Sequence, residues 1–321
     1  MVKVVFFGTP AFGVPTLERL IASDYPVLAV VTRPDRPRNR GHKVHESPVK
    51  ACARAAALPV LQPERIKDSS FLEQITKLAP DLGVVAAYGK ILTDQLLAIP
   101  RLGMINVHAS LLPKYRGAAP IQRAIMAGES ETGITVIRLI REMDAGPMLG
   151  RVVRPIGPAE TGEQIELALA ELGADLLINV IRQLDDGSVV AEEQDPQNAS
   201  FAPRLTKDDG IIDWAAPARV VCDQVRALHP WPHAYSYLGA VRFLILRAVV
   251  AKTPFRPTGA AEPIPGEVLE SSGDRLLVAA GAGSVLAILE IQPEGRRPLP
   301  TRAFLAGYRI NPGSVFRSSP S

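Results

Sequence analysis

Asn106, His108 and Asp144 are the side chains whose types and spacing point most directly to chemistry. Asn106 and His108 flank Val107 in Met104-Ile105-Asn106-Val107-His108, a short, mostly apolar run of the kind that forms a buried strand. Alternate side chains of a strand share a face, so Asn106 and His108 project together while Val107 points the other way. An amide donor beside an imidazole can hold a carbonyl oxygen as it gains negative charge, and the imidazole can pass a proton near neutral pH. Asp144, in the turn Met143-Asp144-Ala145-Gly146-Pro147, follows a second apolar run at 134–139. If that run neighbours the His108 strand, the carboxylate reaches the imidazole and favours its charged form. Each feature also has a plain structural explanation. Asn-x-His is short enough to arise by chance, and an Asp before Gly-Pro is commonly a turn residue. From the residues alone one reaches an Asn, a His and an Asp at the end of a strand, and no further.

Such residues need a sheet that delivers them to one edge. Short apolar runs at 3–7, 27–32, 82–87, 104–108 and 134–139 read as strands. Between them, 15–22, 49–57, 71–78, 93–99 and 120–127 carry apolar residues three or four apart and read as helices. This alternation predicts a parallel-dominated, doubly wound α/β sheet, in which ligands collect beyond the carboxyl ends of the strands. A longer helix over 161–184 carries the stripe Ile165, Leu169, Leu172, Leu176, Val180 and Leu184. The polar stretch 190–207 reads as a linker. Beyond it, a helix at 216–228 and short strands at 241–249, 266–270, 275–279 and 285–292 predict a small antiparallel barrel.

The chain has 321 residues, 47% of them hydrophobic and 21% charged, an ordinary globular composition long enough for a large and a small domain. Its two cysteines, Cys52 and Cys222, fit neither a metal spacing nor a disulfide framework, and the apolar opening stops at Gly8, short of a signal core or a membrane span. A cytoplasmic protein without a membrane partner, a metal or a heme is expected. Net charge is only +3, but Arg33, Arg36, Arg38, Arg40, Lys43 and Lys50 stand against Asp35 and Glu46 alone in one stretch. Such a run either meets phosphates or is a solvated surface. Trp214 and Trp231 are assigned to core packing rather than base stacking, and His42 and His45 to the surface.

The stretch Asn106-Val107-His108-Ala109-Ser110-Leu111-Leu112-Pro113-Lys114-Tyr115-Arg116-Gly117 resembles the signature of the 10-formyltetrahydrofolate transferases. Glu131-Thr132-Gly133-Ile134-Thr135, followed by Asp144-Ala145-Gly146, resembles its companion in order and spacing. The resemblance implies that Asn106, His108 and Asp144 are the catalytic trio. It also implies that Tyr88, through the backbone around it, and Ser110, Leu111, Leu112 and Pro113 lie against the folate. Ala109 stands where many relatives have Gly, which matters only if the position needs positive φ.

Within that family, Phe7-Gly8-Thr9-Pro10-Ala11-Phe12 and Arg33-Pro34-Asp35-Arg36-Pro37 resemble the methionyl-tRNA formyltransferases. So do Arg40-Gly41, Ser47-Pro48-Val49-Lys50, Ile212-Asp213-Trp214, Arg226-Ala227-Leu228-His229-Pro230-Trp231-Pro232 and Gly307-Tyr308-Arg309. The resemblance implies formyl transfer from 10-formyltetrahydrofolate, a co-substrate, to initiator methionyl-tRNA by a monomer, with Arg36, Arg38, Arg40 and Lys43 meeting the tRNA. It further implies a Rossmann-like catalytic domain over 1–189, a linker over 190–207 and an OB-like antiparallel β-barrel that binds tRNA over 208–321. After Pro203, 14 Lys and Arg against 10 Asp and Glu agree with a phosphate-contacting surface. The alternatives are a formyltransferase acting on an amino-sugar nucleotide or glycinamide ribonucleotide, a nicotinamide oxidoreductase, and a non-catalytic RNA-binding protein. The turn after the first strand lacks Gly-x-Gly-x-x-Gly, which argues against the oxidoreductase, and an RNA-binding protein would leave the trio without purpose.

Overall fold

The computed structural model describes residues 1–37, 44–252 and 262–320. The chain divides into two compact units, Met1–Pro120 with Glu131–Pro155 and Ile165–Pro203, and Ile121–Ser130 with Ile156–Gln164 and Arg204–Ser321.

The main sheet of the first unit contains β1 (Val4–Gly8), β2 (Val27–Val31), β3 (Val60–Leu61), β4 (Leu82–Ala86), β5 (Met104–His108), β6 (Glu131–Arg138) and β7 (Met148–Pro155). Their order is β7-β6-β5-β4-β1-β2-β3. β1 to β5 pair in parallel, whereas β6 is antiparallel to both β5 and β7. β1 and β4 are buried at every residue, as central strands covered on both faces must be. The helices α1 (Val14–Ile21), α2 (Pro48–Ala55), α3 (Ser69–Leu78) and α4 (Asp94–Leu97) follow the parallel strands. Ser47 caps α2, its Oγ accepting from the Lys50 amide at 3.2 Å, with Pro48 set for the first turn. α5 (Pro120–Met126) belongs, after Pro120, to the second unit.

α6 (Gly162–Asp186) covers the face of β5 opposite His108. Its buried stripe runs through Ile165, Leu169, Ala170, Ala174, Leu177, Val180, Ile181 and Leu184, while Leu172 and Leu176 lie at its margin. Gly173 lies so close to Val107 that a methyl there would come within 2.7 Å of Val107 Cγ1. A second glycine in the predicted signature has a similar cause. At Gly133 on β6, a Cβ would sit 2.1 Å from the Val152 carbonyl oxygen on β7 and 2.5 Å from Leu111 Cδ2. Gly133→Ala is therefore expected to destabilise the protein by about 1–3 kcal/mol, the usual cost of overpacking, seen as a loss of several degrees in Tm. An unchanged Tm would show that β7 yields freely.

The second unit carries α7 (Ala218–Ala227), β8 (Ala234–Leu238), β9 (Val241–Val250), β10 (Val268–Ser272), β11 (Arg275–Ala279), β12 (Val285–Pro293), α8 (Thr301–Gly307) and β13 (Phe316–Arg317). These strands are antiparallel in the order β10-β11-β12-β9-β8-β13. The first and last meet, because Val268 N donates to Ser314 O and Phe316 N to Gly266 O, each at 2.8 Å, on either side of the Glu267–Val315 bridge. The expected antiparallel barrel is thus closed. Trp214, Val221, Val225, Phe243, Ile245, Phe304 and Phe316 share its core, and Trp214 Nε1 donates to Ser236 Oγ at 2.9 Å. Trp231 departs from expectation. It is 53% exposed, since the segment between α7 and β8 carries it at the surface instead of over the core.

The polar stretch 190–207 is not simply an extended connection. Met148 and Glu192 exchange backbone hydrogen bonds of 2.7 and 2.8 Å, Phe201 and Ala202 pair in parallel with Arg116 and Gly117, and the first unit continues to Pro203. Polar side chains here accompany a backbone satisfied by strand-like pairing. The segments Ile121–Ser130 and Ile156–Gln164 join the second unit through buried polar ties. Arg226, held by Asp223 at 2.7 Å, also donates to the carbonyls of Gly157 and Glu160, and Arg123 pairs with Asp209 at 2.8 Å.

Candidate active site

The parallel strands end at one edge of the first sheet, at Gly8, Val31, Ala86 and His108. β5 lies between β4 and β6, with Asn106 opposite Val85 on one side and Ile137 on the other, and His108 opposite Thr135. Because β6 is antiparallel, its C-terminal Arg138 lies opposite Ile105 and away from His108. The loop 139–147 must return towards the far end of β5 to deliver Asp144. It does so under constraint: Arg138 N donates to Pro147 O at 2.9 Å, and a Cβ on Gly146 would meet the Arg138 carbonyl at 1.9 Å. The strand itself was legible in the sequence, but its place beside β5 was left open and its direction was not visible.

His108 is 5% exposed and faces an acceptor through each nitrogen. Nε2 lies 3.1 Å from the Tyr115 carbonyl oxygen, and Nδ1 lies 3.7 Å from Asp144 Oδ2. A carbonyl only accepts, so Nε2 is the nitrogen that donates, and Nδ1 is the one that faces the carboxylate. Asp144 Oδ2 also accepts from Gly117 N at 2.9 Å, which fixes the carboxylate independently of the histidine. Tyr115 and Asp144 both adopt left-handed backbone, with φ of 62° and 52°. Such conformations cost about 1–3 kcal/mol each and persist only where the surroundings impose them. Here they aim the carbonyl and the carboxylate at opposite nitrogens of one ring.

Asn106 is half-buried, and its side-chain amide has no hydrogen-bond partner among the described residues. The segment 109–113 after β5 is fixed by Thr135, which is fully buried. Thr135 Oγ1 donates to Ser110 O at 2.7 Å and accepts from Leu112 N at 3.1 Å. Ser110 Oγ donates to Lys114 O at 2.7 Å. Ser110 and Leu112 therefore spend their side chains inside the protein, whereas Leu111 and Pro113 are half-buried. Ala109 lies outside the left-handed region, so its methyl group brings no backbone strain and leaves the loop's shape undisturbed.

The Tyr88 ring points into the core against Phe7, edge to face at 5.6 Å, and burial pushes its phenol up to about 12. Only the backbone around it reaches the sheet edge, where Thr9 Oγ1 donates to Tyr88 O at 3.4 Å and Arg33 donates to Gly89 O. Of the basic stretch, Arg36 and Pro37 pair with His45 and Val44, and Arg38, Arg40, His42 and Lys43 lie outside the described residues. Its flanks are spoken for internally. Lys50 bonds Asp35 and holds that carboxyl below the usual range, and Arg54 bonds Glu46. His45 is exposed, as expected. Beside the stretch, Thr9, Arg33, Asp35, Ser47 and Lys90 help line a polar cavity of about 330 Å³.

A Rossmann-like sheet that ends on this Asn, His and Asp, joined in one chain to a closed antiparallel barrel, is the architecture of a two-domain formyl-transferring enzyme. The chain belongs to the formyl transferase family, whose N-terminal domain matches residues 2–181 and whose C-terminal domain matches 204–309. The methionyl-tRNA formyltransferase of Geobacter sulfurreducens is 44% identical to it over 312 residues, covering 97% of this chain and 96% of that protein. That of Caldanaerobacter subterraneus is 44% identical over 316 residues, covering 98% and 100%. Among solved structures, an N-formyltransferase from Helicobacter canadensis in complex with folinic acid and dTDP-3-aminofucose aligns over 90% of this chain and 99% of its own. Its TM-score is 0.68 at 16% identity. HypX from Aquifex aeolicus in complex with tetrahydrofolic acid aligns over 97% of this chain and 49% of its own, with a TM-score of 0.64 at 16% identity. These two likenesses speak to the fold.

Thr135, Arg116, Gln194 and Ser200 escaped the sequence reading although all bond to the site's loops. Thr135 lay inside the Glu131 to Thr135 signature, which was a usable signal. Gln194 and Ser200 lay in a polar run with no periodicity to separate buried from solvated residues.

Proposed function

We propose that this protein transfers the formyl group of 10-formyltetrahydrofolate to the α-amino group of methionyl initiator tRNA, in the cytoplasm and as a monomer. The observation that carries this reading is His108 held between Tyr115 and Asp144, beside the unpartnered amide of Asn106, in a chain so similar to methionyl-tRNA formyltransferases. The neutral amine attacks the formyl carbon, giving a tetrahedral oxyanion; the bond from that carbon to N10 then breaks, and the proton shed by the amine ends on N10. Asn106 is the direct donor to the oxyanion, because its amide has no competing partner among the described residues. His108 supplies positive charge and exchanges a proton through Nδ1, with Asp144 stabilising the charged ring. The backbone near Tyr88 and along 110–113 lines the folate's position. The proposed division is a catalytic domain over 1–189 and a tRNA-binding barrel over 208–321, joined by 190–207, a linker that also pairs with the first unit up to Pro203.

The direct test offers charged initiator tRNA, glycinamide ribonucleotide and an amino-sugar nucleotide together with the formyl donor. Formylation of the tRNA is expected, and preference for either small acceptor would overturn the assignment. Arg36, Arg38, Arg40 and Lys43 are assigned to tRNA phosphates, on a stretch that follows β2 at the same strand-end edge as His108. Replacing Arg40 and Lys43 with Ala is expected to raise KM for tRNA and to lower its salt slope by about one unit per lost contact. KM for the formyl donor should stay unchanged. Equal damage to both substrates, or an unaltered KM for tRNA, would reduce these charges to a solvated surface.

A further inference from the structure

Gln194 stands where the two loops of the active site meet. Its side chain lies in a residue only 7% exposed, and all four of its hydrogen-bonding positions are filled. Oε1 accepts from Arg116 Nε at 3.0 Å and Nη2 at 2.7 Å, while Nε2 donates to the carbonyls of Asp144 and Gly146, both at 2.8 Å. A guanidinium only donates and a carbonyl only accepts, so the partners themselves fix which end of the amide is which.

The consequence lies in what the partners do. Arg116 stands between Tyr115, whose carbonyl holds His108 Nε2, and Gly117, whose amide holds the Asp144 carboxylate. The carbonyls of Asp144 and Gly146 belong to the loop that brings the carboxylate back to Nδ1. One side chain thus ties the segment that orients one nitrogen to the segment that faces the other. It comes from 192–202, whose backbone is bonded on both sides, Glu192 to Met148 and Ser200 to Pro113 and Arg116, while Tyr115 N donates to the Ser200 side-chain Oγ at 2.9 Å.

We infer that Gln194 is a positioning residue for formyl transfer, holding Asp144 against His108 without touching substrate. This rests on the reading of His108 and Asp144 given above. The diagnostic variant is Gln194→Glu, which keeps size and the contacts to Arg116 but turns an oxygen, in place of two donors, towards the carbonyls of Asp144 and Gly146. Gln194→Asn, with the same groups one carbon shorter, is the milder companion should the first fold poorly.

Gln194→Glu is expected to lower kcat about tenfold, the scale of a small misplacement of a catalytic group, with KM for both substrates moving less than about threefold. In an Asp144→Asn background the same change should cost less than about twofold, because the group being positioned is already disabled. Equal losses in the two backgrounds, or a wild-type kcat in both Gln194 variants, would overturn the inference. A second readout does not depend on turnover. The Gly117 amide proton, which donates to the Asp144 carboxylate, should change chemical shift in Gln194→Glu and less in Gln194→Asn, and an unmoved resonance in both would overturn the positioning role. Loss of formyl transfer to tRNA in the wild-type protein would instead sink the functional reading and leave this measurement to decide the geometry.

Discussion

His108→Ala is expected to lower kcat by about 10²–10³ with a folded protein left behind, the scale seen when one stabilising group of an oxyanion site is removed. Two losses combine. On the proposed mechanism, the positive charge offered to the developing oxyanion disappears, and so does the nitrogen that exchanges a proton, a function worth on the order of 10² in its own right. The structural damage should be small by comparison. The ring's polar contacts among the described residues are the hydrogen bond to Tyr115 O and the facing carboxylate of Asp144, and an ordinary hydrogen bond contributes about 1 kcal/mol net. The loop it touches stays anchored by Thr135 and Ser200. Single-turnover kinetics with a saturating formyl donor, beside far-UV circular dichroism, separates the two effects. A folded variant with the wild-type kcat would remove His108 from the chemistry.

Asp144→Asn should be nearly as damaging for a different reason, lowering kcat on the order of 10². Asn can still accept from the Gly117 amide through its side-chain oxygen, and it tolerates left-handed backbone as Asp does, so the turn at φ 52° should survive. What vanishes is the negative charge that faces Nδ1 at 3.7 Å in a residue only 5% exposed, and with it the partner that the proposed mechanism gives to His108. KM for both substrates should move little, since the proposed mechanism gives this carboxylate the task of facing His108 and not of binding either substrate. A variant within twofold of wild-type turnover would mean that His108 works as a neutral ring or not at all.

Much of this was legible in the residues, and the gaps have physical causes. The central strands matched within a residue because buried parallel strands are continuous apolar runs, as at Val4–Gly8 and Leu82–Ala86. Alternation along Met104–His108 put Asn106 and His108 on one face before any coordinates were needed. β7 was missed because exposed Arg151 and Val153 alternate with half-buried Gly150, Val152 and Arg154, charge and apolar character falling on both faces of a strand at the sheet's edge. The assignment of Trp231 to the core failed because burial is a tertiary property that residue type only biases. The direction of β6 is likewise invisible locally, since both directions satisfy the same pattern. The role of 192–202 escaped for the opposite reason. Its bonds run through backbone groups, which every residue possesses, and through a glutamine whose polarity looks the same in water as in a saturated buried network.

The seam that closes the barrel is made by two short stretches far apart in the chain, 266–268 and 313–316. A polypeptide interrupted before residue 313 would have most of the barrel's core residues in hand yet could not close the ring. The segment 266–268, which leads into β10, would then be left with unpaired amides and carbonyls, an invitation to pair with another chain. A stop or frameshift that removes 313–316 is therefore a serious lesion although it leaves every residue of the first unit unchanged. Its harm would appear first as clumping of an otherwise intact catalytic unit, before any fault in the chemistry.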